Sequence, residues 1–218
     1  MKGLLVKDIR LMLNQKQFFG VVALMAVVFL SVYSDPSFVI SYITLMFSIF
    51  TISTISYDEY ENGMCYLFTL PISRKGYVRE KYIFGVITTL LSFTVISVLS
   101  FIASAIRHIG FDVKEWIFTG VTSLLLITLV LAVNIPLQLK FEAERSRMAM
   151  LVTFAGAFVV AYLVVKITSL VGVDMVKLIE RLAETNLKGC VVFACAVWAL
   201  GMLISYLVAV RVMEKKDF

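Results

Sequence analysis

Charge is scarce in this sequence. Only 16% of its 218 residues are Asp, Glu, Lys or Arg, whereas soluble globular domains carry about 25%. Hydrophobic residues make up 61% of the chain, and its mean hydropathy is +0.95. This composition argues against a water-soluble domain and indicates a membrane protein.

The residues and motifs of catalytic sites are scarce as well. The chain has one histidine, His108, and no G-x-x-x-x-G-K-[ST] motif with which to bind nucleotide phosphates. An intramembrane protease needs paired acids or a Ser/His set at membrane depth, and the long apolar runs contain neither. The three cysteines, Cys65, Cys190 and Cys195, have no spacing typical of a metal or disulfide site. The sequence therefore predicts a non-enzymatic chain that binds no cofactor or metal itself.

What the sequence does contain is a series of apolar runs. A bilayer-spanning helix needs about 20 largely apolar residues, and six runs approach or exceed that length. They are Phe18–Tyr33, Phe38–Ser56, Tyr82–Ile106, Ile117–Leu137, Met150–Val171 and Val191–Val210. No Pro-, Gly- or Ser-rich linker divides the chain. We therefore predict an all-α fold, with one polytopic membrane domain (residues 1–218) and six transmembrane helices.

Orientation is predicted from Lys and Arg, which are enriched on the cytosolic side of membrane proteins. Fourteen of the 20 Lys and Arg residues lie before the first run or after the second, fourth or sixth, and five lie on the other side. This asymmetry predicts that both termini are cytoplasmic. It also accounts for the net charge of +5 without a nucleic-acid partner.

Two segments have an amphipathic helical pattern but too much charge to cross a bilayer. In residues 1–16 one helical face carries Leu5, Val6, Ile9, Met12 and Leu13. This segment is expected to lie on the cytosolic membrane surface with its bases near lipid phosphates; the alternative is a plain extension of the first span. Residues 172–189 are expected to form a second amphipathic helix on the outer surface.

A charged segment, residues 58–81, connects the second and third runs on the predicted cytosolic side. Its first part has a polar helical face opposite a mainly apolar one: Asp58, Glu61, Asn62, Cys65 and Thr69 against Tyr60, Met64 and Leu67. Pro71 is expected to end this helix, and Ser73 to cap the next one, which carries Arg74 and Lys75 into the third span. Such a helix–Pro–helix elbow can transmit force between a soluble partner and two spans. The alternative is a solvated loop that only reverses the chain.

The second run carries a stripe of hydroxyl groups at helical spacing. Its members are Ser41, Thr44, Ser48 and Thr51. Because Ser and Thr also hydrogen-bond to their own backbone and to neighbouring helices in lipid, the stripe fits either a translocation path for cargo or helix packing.

Two further residues interrupt the apolar runs. Lys166 lies near the outer end of the fifth run, where its ammonium group can extend to the lipid headgroups; the alternative is a buried functional charge. Pro136 lies near the end of the fourth run and is expected to mark the helix terminus there, with a hinge as the alternative.

Within the elbow, "YDEYENGMCYLFTLPISRKGYVREKY" resembles the signature loop of bacterial ABC-transporter permeases of the type-2 exporter superfamily. The resemblance rests on an acidic helix, the "LPISR" bend and a basic helix that ends in "KY". The start, "MKGLLVKDIRLM", resembles the amphipathic connecting helix of that family. Gly76 stands where relatives often have an acidic residue, which is expected to weaken the cap of the second helix. Within the family, the sequence resembles permeases that export phenol-soluble modulins or bacteriocin-type peptides.

The resemblance implies a permease subunit of the bacterial plasma membrane that exports a hydrophobic or amphipathic cargo, such as a peptide. ATP and Mg²⁺ would then bind to separate cytosolic ABC subunits, and a second permease subunit would complete a homo- or heterodimer. The elbow would act as the coupling helix. The implied ATPase-coupling residues are Asp58, Glu59, Glu61, Asn62, Pro71, Arg74 and Lys75. The alternative is a membrane scaffold or immunity protein that binds a peptide toxin without transporting it.

Overall fold

The computed structural model describes residues 2–33, 36–60, 63–107, 113–141 and 187–216. It also describes six separate helical positions: Leu151, Ala155, Gly156, Val159, Tyr162 and Lys166. All regular secondary structure in this described part of the chain is helical. The all-α prediction is therefore confirmed for these residues.

Seven helices make up the described fold. They are α1 (Lys2–Asn14), α2 (Lys16–Val32), α3 (Pro36–Glu59), α4 (Gly63–Thr69), α5 (Arg74–Ile106), α6 (Val113–Lys140) and α7 (Leu187–Glu214). Helix α5 has 33 residues, which at 1.5 Å per residue is about 50 Å. Because the hydrocarbon core of a bilayer is about 30 Å thick, one end of α5 must extend beyond it.

Four helical segments of the described residues are long and apolar enough to cross a membrane. They are Pro36–Glu59, Arg74–Ile106, Thr119–Lys140 and Cys195–Glu214, which correspond to the second, third, fourth and sixth predicted spans. The first predicted span lies in α2, which meets α1 at a 65° bend, and the pair is a fifth candidate if it is one broken span. The fifth predicted span and the segment 172–189 lie largely outside the described residues.

Helix α3 lies at the centre of the bundle. It packs against α5 and α6, while α7 packs against α6 and α5, and α2 lies against α3. Gly85 allows a close approach of α5, because a Cβ there would lie 2.9 Å from Leu131 Cδ1 of α6 and 3.2 Å from Thr51 Cγ2 of α3. Small residues serve this purpose between membrane helices.

The prediction that Pro136 marks the end of the fourth span is wrong. Helix α6 continues through Pro136 to Lys140. Proline has no N–H, so it cannot donate to the carbonyl four residues earlier, that of Ala132. Ser205 of α7 donates its hydroxyl to this carbonyl instead and also shares a hydrogen bond with Tyr82 of α5. A neighbouring helix therefore satisfies the group that the proline leaves without a partner.

Candidate coupling site

The functional candidates gather at one end of the bundle, which we call the basic end. Here α1 and α4 meet the end of α3, the start of α5 and the ends of α6 and α7. The cationic side chains of Lys7, Arg74, Lys81 and Lys216 all take part in contacts at this end. These residues come from three of the four groups of bases that the sequence assigned to the cytosolic side, namely the start of the chain, the elbow and the tail.

The elbow has a helix–Pro–helix form, but its first helix is a separate short helix, α4, and not the continuation of the second span that the sequence predicted. Helix α3 ends at Glu59, α4 spans Gly63–Thr69, and exposed Pro71 lies in the non-helical link before α5. Glu61 and Asn62 lie outside the described residues. A Cβ on Gly63 would lie 2.8 Å from the backbone oxygen of Asp58, so the close approach of the start of α4 to the end of α3 requires a glycine.

The predicted N-cap of α5 is confirmed. Ser73 Oγ accepts a hydrogen bond of 3.1 Å from the backbone N–H of Gly76, which satisfies one of the free donors in the first helical turn. The cap forms with glycine at position 76; the expectation that the lack of an acidic residue there weakens it stays a prediction. A Cβ at that position would lie only 2.8 Å from Ser73 Oγ, so the glycine leaves room for the capping hydroxyl.

Helix α4 presents two distinct faces. Met64 and Leu67 are buried in the apolar cluster of the basic end, as the helical pattern predicts. Tyr60, predicted to share their side, is 71% exposed, and Tyr66 is 73% exposed beside Leu70. The outer surface of the elbow is therefore aromatic as well as polar.

Asp58 joins the end of α3 to α1 and α5. Its Oδ2 accepts a hydrogen bond of 2.9 Å from Tyr77 Oη and lies 2.9 Å from Lys81 Nζ. Its Oδ1 accepts from Lys7 Nζ of α1. The carboxylate of Asp58 is only 8% exposed, so it faces its neighbouring helices and not the solvent.

Lys81 is fully buried and holds the centre of this cluster. Besides Asp58, it bonds to the buried carboxylate of Asp8 in α1 and donates to Thr54 Oγ1 at 3.1 Å. Buried charges are costly unless each is paired and hydrogen-bonded. The arrangement therefore fixes α1 against α3 and α5.

Two further charges belong to the same cluster. Lys7 Nζ lies 3.0 Å from Asp8 Oδ1. Burial alone would lower the pKa of Lys7, but the carboxylates of Asp58 and Asp8 outweigh it and raise that pKa above its usual value. Glu80 is buried as well, and its Oε2 lies 3.9 Å from Lys81 Nζ. We call Lys7, Asp8, Asp58, Glu80 and Lys81 the α1 clamp.

Glu59 joins the end of α3 to α6 and to the segment after α7. Its Oε1 accepts a hydrogen bond of 3.0 Å from Lys216 Nζ, and its Oε2 one of 3.3 Å from Gln138 Nε2. Gln138 also donates to Ser56 Oγ at 3.1 Å, and Lys216 to the carbonyl of Leu139 at 3.4 Å. Like Asp58, the Glu59 side chain is 8% exposed.

Arg74 and Lys75 both contact the end of α7. Arg74 Nη1 donates to the backbone carbonyls of Glu214 at 2.7 Å and Met213 at 3.3 Å. Lys75 Nζ lies 3.3 Å from Glu214 Oε1. The latter pair is exposed, so it contributes little to stability.

The hydroxyl stripe of α3 lies between helices in this conformation. Ser41 donates to Ser123 Oγ of α6 at 2.8 Å, and Thr51 lies 3.3 Å from Thr88 of α5. Thr44 and Ser48 are buried. These contacts match the packing alternative for the stripe.

Lys166 is exposed, with its Nζ 5.8 Å from the centroid of the Tyr162 ring. The exposure does not match the alternative of a buried functional charge, while the extension of Lys166 to the lipid headgroups stays a prediction.

The long apolar helices and the charged end that joins them define a multi-pass membrane protein. The family model described as "ABC-2 family transporter protein" matches residues 3–214, so the chain belongs to this family. Membership implies a membrane permease subunit that works with ABC ATP-binding subunits. Comparisons with curated proteins and with solved structures found no match.

Proposed function

We propose that the chain is the permease subunit of an ATP-driven exporter of amphipathic peptides. ATP is hydrolysed on a separate cytosolic ABC subunit, and the elbow transmits the resulting motion to the spans. The observation that carries this proposal is the junction at Asp58 and Glu59, which connects α3 to α1, α5, α6 and the segment after α7. A force applied to the elbow is therefore transmitted to several spans at once.

The ATPase docks on the outer face of α4 and on the residues just before and after this helix. Tyr60, Tyr66 and Leu70 are exposed there, and tyrosine is enriched among residues that dominate binding energy at protein interfaces. Glu61 and Asn62 lie between Tyr60 and α4 in the sequence. Asp58 and Glu59 act differently, because their carboxylates are buried in ion pairs and hold the helices that receive the motion.

A second permease subunit completes the transporter and cargo passes between the two. The stripe Ser41, Thr44, Ser48 and Thr51 is the proposed translocation face. Because these hydroxyls lie between helices in the described conformation, this assignment requires α3 to separate from α5 and α6 during transport.

The docking assignment is tested by co-expressing the chain with an ABC ATP-binding subunit and measuring the affinity of the two in detergent. Tyr66→Ala is expected to weaken binding by about 2 kcal/mol or more, the scale of an interface hot spot. Tyr33→Ala is the matched control, since Tyr33 is also exposed. It follows the C-terminal end of α2, away from the basic end. Equal affinities for the two variants would refute the docking surface.

Transport is tested in inside-out membrane vesicles with a fluorescent amphipathic helical peptide. We expect peptide accumulation that requires ATP and both subunits, no ATP hydrolysis by this chain alone, and loss of peptide-stimulated hydrolysis with Glu61→Lys. If the peptide binds but never accumulates with ATP, the chain is a binding scaffold and not an exporter.

A further inference from the structure

Lys216 lies two residues beyond α7, yet its side chain is directed into the basic end. Its ammonium group donates to Glu59 Oε1 and to the carbonyl of Leu139 at the end of α6, and only 23% of the side chain is exposed. Lys215, its neighbour, is exposed. The two adjacent lysines thus have different environments. Lys216 contacts the elbow through Glu59, whereas Lys215 is exposed.

The last turn of α7 is held by Arg74, in the part of the elbow that follows Pro71. A helix leaves its last carbonyls without intrahelical donors, and Arg74, the first residue of α5, donates to those of Met213 and Glu214. A cation at a helix C-terminus is also favoured by the helix dipole. Met213 is fully buried in the apolar cluster that contains Tyr77 and Leu139.

We propose that Lys216 and the last turn of α7 are positioning elements of the elbow. Lys216 holds the end of α3 through Glu59, Arg74 holds α7 against the start of α5, and together they carry movement of the elbow to α7. This inference rests on the proposed coupling function and extends it to a segment that the coupling loop does not include. We call these contacts the α7 clamp.

The difference in burial distinguishes the Lys216–Glu59 pair of the α7 clamp from the nearby Lys75–Glu214 pair, which is not part of it. The Lys216–Glu59 pair is largely withdrawn from water, and a hydrogen bond between charged groups is about twice as strong as a neutral one. The Lys75–Glu214 pair is 68% and 47% exposed, which makes it a weak contact that salt screens. Lys216, and not Lys75, is therefore the residue to substitute.

The first arm of the test uses the full chain in lipid nanodiscs. Cys65 is an exposed natural cysteine on α4, so with Cys190→Ser and Cys195→Ser it carries a single spin label that reports on the elbow. Lys216→Met is expected to increase the mobility of this label, Lys215→Met to leave it unchanged, and Lys216→Arg to restore it. An unchanged label in Lys216→Met would overturn the proposal.

The second arm uses the complex with the ATP-binding subunit in vesicles. Lys216→Met is expected to lower the peptide exported per ATP hydrolysed by about tenfold, the scale of losing one charged hydrogen bond, with Lys215→Met unaffected. A loosened label with normal export would show that the α7 clamp is structural only and would overturn its role in coupling. If the unsubstituted complex exports nothing, the proposed function fails, while the label still decides whether Lys216 positions the elbow.

Discussion

At the scale of single residues, the pair Asp58 and Glu59 shows how neighbours in sequence can have separate tasks. Successive residues of a helix are about 100° apart, so the two carboxylates reach different helices. Asp58 binds Lys7 and Lys81, whereas Glu59 binds Gln138 and Lys216. Both were expected to meet a soluble partner, but in this conformation they act within the chain.

Lys81 is the residue whose loss is expected to destabilise the α1 clamp most. Lys81→Met leaves the buried carboxylates of Asp8 and Asp58 with fewer cations, and removing one partner of a buried charge pair costs about 3–5 kcal/mol. Lys75→Met, on the same helix but exposed, should cost less than about 1 kcal/mol. Denaturant unfolding of the detergent-solubilised protein measures both, and equal stabilities would contradict the clamp.

At the scale of helices, α6 shows that a proline in a membrane helix can be compensated from outside that helix. Ser205 of α7 supplies the donor for the Ala132 carbonyl that Pro136 leaves without a partner. The serine therefore supports the continuity of α6 at the point where α6 approaches the basic end and Gln138 contacts Glu59.

Ser205 and Pro136 should consequently be coupled in a double-mutant cycle. Ser205→Ala is expected to destabilise the protein by about 1 kcal/mol, a common value for a hydrogen bond between membrane helices. In a Pro136→Ala background, where the restored N–H can bond to the Ala132 carbonyl, the same change should cost less. Unfolding in detergent yields the four stabilities, and strictly additive effects would argue against compensation.

Local features of the elbow could be predicted from sequence, whereas its long-range contacts could not. The Ser73 cap and the burial of Met64 and Leu67 depend on neighbours within one or two turns, so spacing was sufficient. Asp8 and Lys81 are 73 positions apart, and no helical period connects them. Asp8 does stand out, because it is the only acid before residue 35 and lies four residues after buried Leu4. That signal predicts a buried partner but not which one.

At the scale of the whole molecule, the basic end combines two clamps around one apolar cluster. The α1 clamp connects α1 to α3 and α5, and the α7 clamp connects α3 and α5 to α7, with Glu59 also holding α6. An elbow held from both sides is connected to spans on either side of it, as the proposed coupling function requires and as a solvated loop between two helices would not be.

If the two clamps are independent, each should open without the other. Asp58→Asn is expected to raise amide hydrogen exchange in residues 2–14 while the last turn of α7 keeps its protection, and Glu59→Gln should do the reverse. Weakening a charge-assisted hydrogen bond by about 1.5–3 kcal/mol makes amide exchange roughly 10- to 100-fold faster where the amides exchange through local opening of the structure. Mass spectrometry of peptides from the two regions measures this. A parallel rise in both regions would mean that the basic end opens as one unit, and force from the elbow would then reach α1 and α7 through a single cooperative step.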